Sequence, residues 1–464
     1  MSIFDPPMEA RPIKYLFFLF LPMVACKKGF LDTKPDQSIS IPTSIEDCQR
    51  LMDNDIVMNG YGGAGYPSLG ITGSDDFYVS TMQYSQYTLT DQHAVVWEKE
   101  IYGDPEVNDW DMPYRTILYA NVALKALNEL HPASGEQADW NKAAGSAYFF
   151  RAYAYHQLAQ IFTLPYDSAT ADRDLGLPLR QTTDVSENFT RVSVQKTYDQ
   201  IISDLVAAIP LLPAISTSST SPSRMAVYGM LSRVYLSARA YSMALLYADS
   251  CLQIRPGLMD YDTLDISDPL PFKRSYTSNP EMILGMASSS SGPSAIRRSF
   301  TDSNLYASYQ PNDLRKVLFF KSGRFFFGRY DDDGYTFSGL ATDEIYLNRA
   351  ECYARTGKVT EAMKDLNDLL VKRWATGTFT PLSAMDADDA LRQILEERRK
   401  ELLYRGLRWT DLRRLNKDEV TAVTLTRTVN GEIYTLLPNS PRYVYLIPDK
   451  VIASNGGRIQ QNPR

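Results

Sequence analysis

The sequence predicts a mainly α protein: a tetratricopeptide-like helical-repeat scaffold with a less regular, loop-rich portion that carries short strands. Three observations predict it. Long segments place apolar residues at helical period, as at Tyr114, Ile117, Leu118, Val122, Leu124 and Leu127. A pattern of tyrosines and small residues recurs three times at the spacing of a tetratricopeptide helix pair. Between Pro269 and Gly339 the helical period gives way to short apolar runs among Ser and Gly.

The chain has 464 residues, longer than a typical single core, so it predicts two subdomains or one extended scaffold. With 44% hydrophobic and 22% charged residues it is globular in composition rather than disordered. A net charge of -7 does not suit a polyanion, and nucleic acid is not an expected partner. The 30 Tyr outnumber the 5 Trp; part of that excess is core, and part suits a wet binding surface, because tyrosine couples an apolar ring to a polar hydroxyl.

At the N-terminus, Arg11 and Lys14 precede an apolar run from Tyr15 to Ala25. That run is too short for the ~20 residues a membrane-crossing helix needs. A basic start, a short apolar run and a small residue at its end are the pattern of a signal peptide. Cys26 directly after Val24-Ala25 makes it a lipoprotein signal, with cleavage before Cys26 and lipid on its thiol; Met23 stands where Leu is usual. The first ten residues are a long start, and Met8 is a second candidate initiator. Cys48, Cys251 and Cys352 remain. They form no Cys-x-x-Cys pair and are odd in number, so neither a zinc site nor a disulfide framework is expected.

Residues 27–60 predict an extended lead-in with Pro35 and Pro42, then a short helix near Ser44–Leu51. The glycine-rich stretch from Gly60 to Pro67 predicts a flexible loop, and 68–105 an irregular segment rich in Tyr and Asp. Helices follow over Trp110–Leu130, Ala143–Leu164 and Val194–Leu212, with a long insertion at Pro165–Arg191 and a Ser/Thr-rich linker at Ala214–Ser223. The repeat pattern falls on Tyr228, Leu231, Ser232, Tyr235, Ala244 and Pro256, then on Tyr346, Ala350, Tyr353 and Ala362. Tyr148, Ala152 and Tyr155 match the first helix of a third copy. A small residue on the first helix lets the second pack closely, and Tyr fills the gap between pairs. Such scaffolds bind partners. Short strands are expected at Met282–Leu284, Val317–Phe320 and Phe325–Phe327.

Catalytic patterns are weak. Gly60, Gly62 and Gly65 match G-x-G-x-x-G, but Tyr66-Pro67 follows where a phosphate-binding helix should begin. His93, His131 and His156 stand in unrelated contexts, with no metal-binding or nucleophile signature. Asp75 and Asp76, adjacent in an extended segment, point in opposite directions and make a poor acid/base pair; hydrogen bonding to ligand hydroxyls, or a turn, suits them better. In the dense charge run from Glu396 to Arg414, Glu396/Lys400 and Glu401/Arg405 have the spacing of helical ion pairs. Glu397 and Glu401 share a face, and with this many Arg nearby a structural ion network is the better reading than paired catalytic carboxylates. No enzyme, cofactor or metal is expected.

Five stretches resemble the RagB/SusD family of outer-membrane lipoproteins of the Bacteroidetes type. They are Cys26 through Phe30-Leu31-Asp32 and Pro35; Trp110, Tyr114, Ile117 and Asn121; Phe150-Arg151-Ala152-Tyr153 with Pro165; Glu397-Arg398 to Leu412-Arg413; and Ile447-Pro448 through Asn455 to Gln461-Asn462-Pro463. The resemblance implies a SusD-like fold and a non-catalytic protein on the cell surface. It implies that the protein binds a glycan, or in some members a peptide, and hands it to a TonB-dependent, SusC-like barrel over which it acts as a hinged lid. The repeat face is implied to pack on that transporter. An envelope scaffold that binds no small ligand is the competing expectation. Lys27-Lys28 stand where an acidic export signal is usual, so the outward-facing location rests on the resemblance. Glycan sites in the family use aromatic platforms with polar neighbours, and the candidates so implied are Asp75, Asp76, Tyr78, Tyr84, Tyr87 and Trp97, then Tyr306, Tyr309 and Tyr330. The expected organisation is a signal peptide at 1–25, a lipidated lead-in at 26–60, an N-terminal SusD-like region at 61–213, a tetratricopeptide-like pair at 214–268 and a C-terminal RagB/SusD-like region at 269–464.

Overall fold

The computed structural model describes residues 42–464 apart from 64, 104–106, 276–277, 289–298, 322–323 and 331–333. The expected signal peptide and Cys26 lie outside the described residues. The first helix, α1 (Ile45–Met52), is started by Ser44, whose hydroxyl accepts from the Asp47 N–H at 3.1 Å. After α2 (Asp55–Asn59) the chain crosses the glycine-rich stretch. That stretch is packed rather than free: a Cβ on Gly60 would come within 2.6 Å of the Ala287 carbonyl, and one on Gly65 within 2.5 Å of the Ser288 backbone. The glycines let two backbones touch, which accounts for the spacing without a phosphate.

The segment expected to be irregular holds three short helices, α3 (Leu69–Gly73), α4 (Thr81–Tyr84) and α5 (Leu89–Val95), and the two-residue strand β1 (Phe77–Tyr78). The missed signal is local. Ser80 and Gln83 form a capping box, and Thr88 caps α5.

The scaffold follows as a stack of long helices: α6 (Asn108–Glu129), α7 (Gln137–Phe162), α8 (Val194–Ala208), α9 (Arg224–Ser237) and α10 (Tyr241–Ile254). Each packs on the next. The chain then leaves the stack and returns to it as α13, described below. In this excursion lie β2 (Met282–Leu284), β3 (Ala287–Ser288), β4 (Phe300–Thr301), α11 (Ser303–Ser308), α12 (Arg315–Phe319), β5 (Phe320–Lys321), β6 (Phe325–Phe326), β7 (Thr336–Phe337) and β8 (Leu340–Ala341). The strands pair antiparallel in twos, β1 with β4, β2 with β8, β3 with β7 and β5 with β6. Strands were expected at 282–284 and 325–327, and both are present. Val317–Phe319 was expected to be extended and is instead helical, because Asp313 and Leu314 carbonyls accept from Lys316 and Leu318 and turn Arg315 into the core.

The stack resumes with α13 (Thr342–Arg355) against α10, then α14 (Val359–Leu370), α15 (Ala387–Glu401) and α16 (Arg408–Leu415). The hairpin β9 (Leu425–Val429)–β10 (Glu432–Leu436) and α17 (Asp449–Ser454) complete the chain. The repeat pattern has the expected physical basis: Ala244, Ala350 and Ala362 are fully buried at helix crossings, and Tyr235 stacks on Tyr247 at 5.7 Å between centroids. Residues 41–464 form one compact unit, with helix contacts running across the expected boundaries at 213 and 268. Cys48, Cys251 and Cys352 are buried and free. Among the described residues no helix is long and apolar enough to cross a membrane.

Buried Arg–carboxylate forks clamp the helices together. Arg151 of α7 grips Asp204 of α8 at 2.6 and 2.8 Å and reaches Asn121 of α6 at 2.8 Å. Arg233 of α9 grips Glu344 of α13 at 2.6 and 2.7 Å. The charge run is a structural network, as expected, but with different partners. Glu396 pairs with Arg392, Lys400 with Glu397, Glu401 with Arg315 and Arg373, and Arg405 with Asp343. Helical spacing fails here because most of these side chains are buried, and buried charges bond to whichever element packs against them.

Candidate ligand-binding site

A row of aromatic rings stands where β1, β4 and β6 meet. Tyr78 and Phe300 are directly opposed in the β1–β4 ladder, which puts their side chains on one face. Their rings stack at 5.2 Å with 23° between planes. Phe325 continues the row, stacked on Phe300 at 4.8 Å and 26°. All three are half-buried, so part of each side chain meets solvent.

Arg324 frames the row. Its guanidinium lies 5.1 Å from the Tyr78 ring centroid, donates to the Tyr78 hydroxyl and donates to Ser303 Oγ at 2.7 Å. Its backbone has φ +71°, a left-handed conformation rare outside glycine, and its carbonyl accepts from the Thr301 N–H at 3.2 Å. A strained residue held by its neighbours is a common feature of binding sites.

Asp75 and Asp76, which lead into β1, are not free to meet a ligand. Arg408 forks onto the Asp75 carboxylate at 2.7 and 2.9 Å, and Arg399 reaches Asp75 at 3.2 Å and Asp76 at 3.4 Å. Burial opposes ionisation of Asp75, but Arg408 and Arg399 overcome it and hold its carboxyl below the usual range. Burial pushes Asp76 up to about 6, with the neighbouring Asp75 adding and Arg399 opposing. The pair ties β1 to α15 and α16; the expectation of hydrogen bonds to ligand hydroxyls is corrected.

Of the aromatic candidates, Trp97, Tyr309 and Tyr330 are core residues, at 1%, 1% and 0% exposure. The Trp97 indole donates to the Gly73 carbonyl at 2.8 Å, with Arg427 4.9 Å above its ring. Tyr309 donates to the Lys400 carbonyl at 2.8 Å. Tyr330 donates to Glu281 and lies 4.2 Å under Arg405. Tyr87 is also buried. These four offer no face to a ligand, because Tyr87, Tyr309 and Tyr330 fill a hydrophobic cluster around Phe272, Phe319 and Phe337, and Trp97 fills the main helical core. Tyr84 and Tyr306 are half-buried, the former donating to the Gln92 carbonyl and the latter packed edge-on against Phe320. The structure thus brings Tyr78 alone of the nine into the stacked row. Phe300 and Phe325 were not candidates. The signal that could have found them is the short aromatic strand, Phe325-Phe326-Phe327, whose alternation exposes every second ring.

Residues 29–236 match a family described as starch-binding and associating with the outer membrane, and residues 342–464 match the SusD family. The chain belongs to the RagB/SusD family. A SusD-like relative, SusD-like protein P2 of Formosa agariphila, is 24% identical over 371 residues, 66% of this chain and 71% of its own. Among solved structures, a putative sugar binding protein from Bacteroides vulgatus shares the fold with a TM-score of 0.73 at 21% identity, covering 92% of this chain and 99% of that one. A SusD superfamily protein from Bacteroides thetaiotaomicron gives 0.72 at 20% identity over 91% and 100%. A laminarin-binding SusD-like protein gives 0.63 at 18% over 92% and 100%.

The four RagB/SusD stretches that fall among the described residues supply clamps of the fold; the fifth, Cys26 through Pro35, lies outside them. Asn121 and Arg151 bond to each other across α6 and α7. Arg413 donates to the carbonyl of Gln160 near the end of α7 and to that of Thr163 just after it. Asn462 donates at 2.8 Å to the carbonyls of Phe162 and Tyr445, and so docks the tail on the same helix end. Asn455 exchanges two hydrogen bonds with the Phe189 backbone at 2.6 and 2.9 Å.

Proposed function

We propose that this RagB/SusD protein binds a glycan on the Tyr78–Phe300–Phe325 row and delivers it to a SusC-like TonB-dependent transporter, as its lid. The observation that carries the reading is the row itself: three stacked, half-buried rings with a guanidinium at their edge. Ring faces take up sugar C–H surfaces, while Arg324 and the Tyr78 hydroxyl offer polar partners for sugar hydroxyls. Tyr78 is the direct contact among the residues named from sequence, and Asp75 and Asp76 support its strand. The sugar-binding and laminarin-binding descriptions of two structural relatives support the glycan class. In gels cast with neutral polysaccharides, the wild-type protein is retarded by at least one of them; equal mobility in all would overturn the glycan reading.

The anchor is the lipid on Cys26, and the protein faces the cell exterior. One acyl chain holds a protein only marginally, and the multiply acylated cysteine of a bacterial lipoprotein is the stable alternative. Cys26→Ala moves the folded protein from the membrane fraction to the soluble fraction. Detergent extraction of the wild type co-purifies a large β-barrel protein. Tight membrane association of the variant would contradict the anchor, and recovery of the wild type alone would contradict the transporter partnership.

A further inference from the structure

A cleft of about 760 Å³ opens beside α11, α14 and α15. Its volume lies within the range of small-molecule sites. One wall is aromatic: Trp374 and Phe379, both half-buried, stand 5.7 Å apart with 58° between their planes. The other walls carry Asn304, Gln310 and Thr380. The side chains of these three make no hydrogen bond to another described residue.

The charged groups of the cleft are already matched. Arg392 pairs with Asp389 at 2.6 Å and Glu396 at 3.0 Å. Arg399 pairs with Asp75 and Asp76, and Lys400 with Glu397 at 2.7 Å. Among the described residues lining the cleft, no unpaired charge remains to recruit an ion. An aromatic wall facing free amides and a hydroxyl fits a neutral, hydroxyl-rich ligand. The amides supply donors and acceptors together, which suits a group that is itself both.

The cleft lies close to the aromatic row. Helix α11 joins them: Ser303 at its start bonds to Arg324 at the row's edge, while Asn304, Leu305 and Ser308 line the cleft. A helix of this length spans only about 9 Å. Arg399 also connects the two, as part of the cleft wall and as the partner of Asp75 and Asp76, which lead into β1.

We infer that the Trp374–Phe379 cleft is a second saccharide subsite, which holds the far end of an oligosaccharide whose near end stacks on Tyr78–Phe300–Phe325. This rests on the glycan reading of the row. Bridging links two weak contacts in one chain, so affinity rises with ligand length. The experiment uses the mature full chain with neutral disaccharides and hexasaccharides of β-1,3-glucan, starch and β-mannan on one array, comparing wild type, Trp374→Ala, Trp374→Phe and Phe325→Ala.

Trp374→Ala is expected to weaken hexasaccharide binding about tenfold, the loss of one aromatic anchor, and to leave disaccharide binding unchanged. Trp374→Phe is expected to retain most of the hexasaccharide affinity, which separates stacking from misfolding. Phe325→Ala is expected to weaken both lengths. If Trp374→Ala binds hexasaccharides as the wild type does while Phe325→Ala fails, the cleft is not a subsite and the row stands. If the wild type binds no member of the array, both the row and the cleft are overturned.

Discussion

Arg315→Ala is expected to destabilise the protein by about 3–5 kcal/mol, the cost of breaking a buried ion cluster from one side. Arg315 is fully buried and holds three carboxylates: Asp313 at 2.7 and 2.9 Å, Glu397 at 2.7 Å and Glu401 at 3.0 Å. Asp313 and Glu401 are buried as completely. Without the guanidinium, Asp313 keeps only the backbone N–H of residue 315 at 3.1 Å and Lys400 at 3.4 Å, and Glu401 keeps Arg373 at 2.8 Å. Arg315→Lys is expected to fall between, since one ammonium cannot reproduce a planar fork. Urea midpoints at neutral pH check this. A loss within about 1 kcal/mol for Arg315→Ala would show that the cluster contributes no more than an exposed ion pair.

The second large effect is on the acid side. Glu351 of α13 is fully buried; burial opposes its charge, but Arg414 at 2.5 and 2.7 Å and Arg355 at 2.9 Å hold its carboxyl down to about 2, below the ordinary 4.5. A carboxylate depressed in the folded state stabilises the fold fully above its unfolded value, and that contribution is lost as pH falls from about 4.5 through about 2. At about 1.4 kcal/mol per pH unit, Glu351 accounts for roughly 3 kcal/mol of acid lability. Glu351→Gln is expected to be less stable than wild type at neutral pH and to lose less on acidification. Urea midpoints at about pH 7 and about pH 3 make the comparison. Parallel acid losses in the two proteins would contradict the assignment.

These two clusters explain what could be read in the sequence. The helix period and the small residues at crossings depend on spacing along one chain, so α6 to α10 and α13 to α14 were legible, as were the buried small residues Ala244, Ala350 and Ala362. Family stretches such as Asn121, Arg151 and Asn462 were legible too, but as markers of clamps. The Glu397 and Glu401 partners of Arg315 and the Asp343 partner of Arg405 were not, because they come from elements far away in the chain. The site was less legible for the same reason. Whether a tyrosine stacks in the open, like Tyr78, or fills the core, like Tyr330, depends on which strand lies opposite it. Tyr78 faces Phe300 across more than two hundred residues, and no local pattern announces that pairing.

The most direct measurement is calorimetric titration of the wild-type protein and Phe325→Ala with the polysaccharide that retards the wild type in gels. Phe325 is half-buried at the end of the row, so its removal leaves the core intact. The row predicts at least about a tenfold loss of affinity with an unchanged urea midpoint, as for an anchor residue at a binding surface. Equal affinity in the two proteins would contradict glycan binding on Tyr78, Phe300 and Phe325.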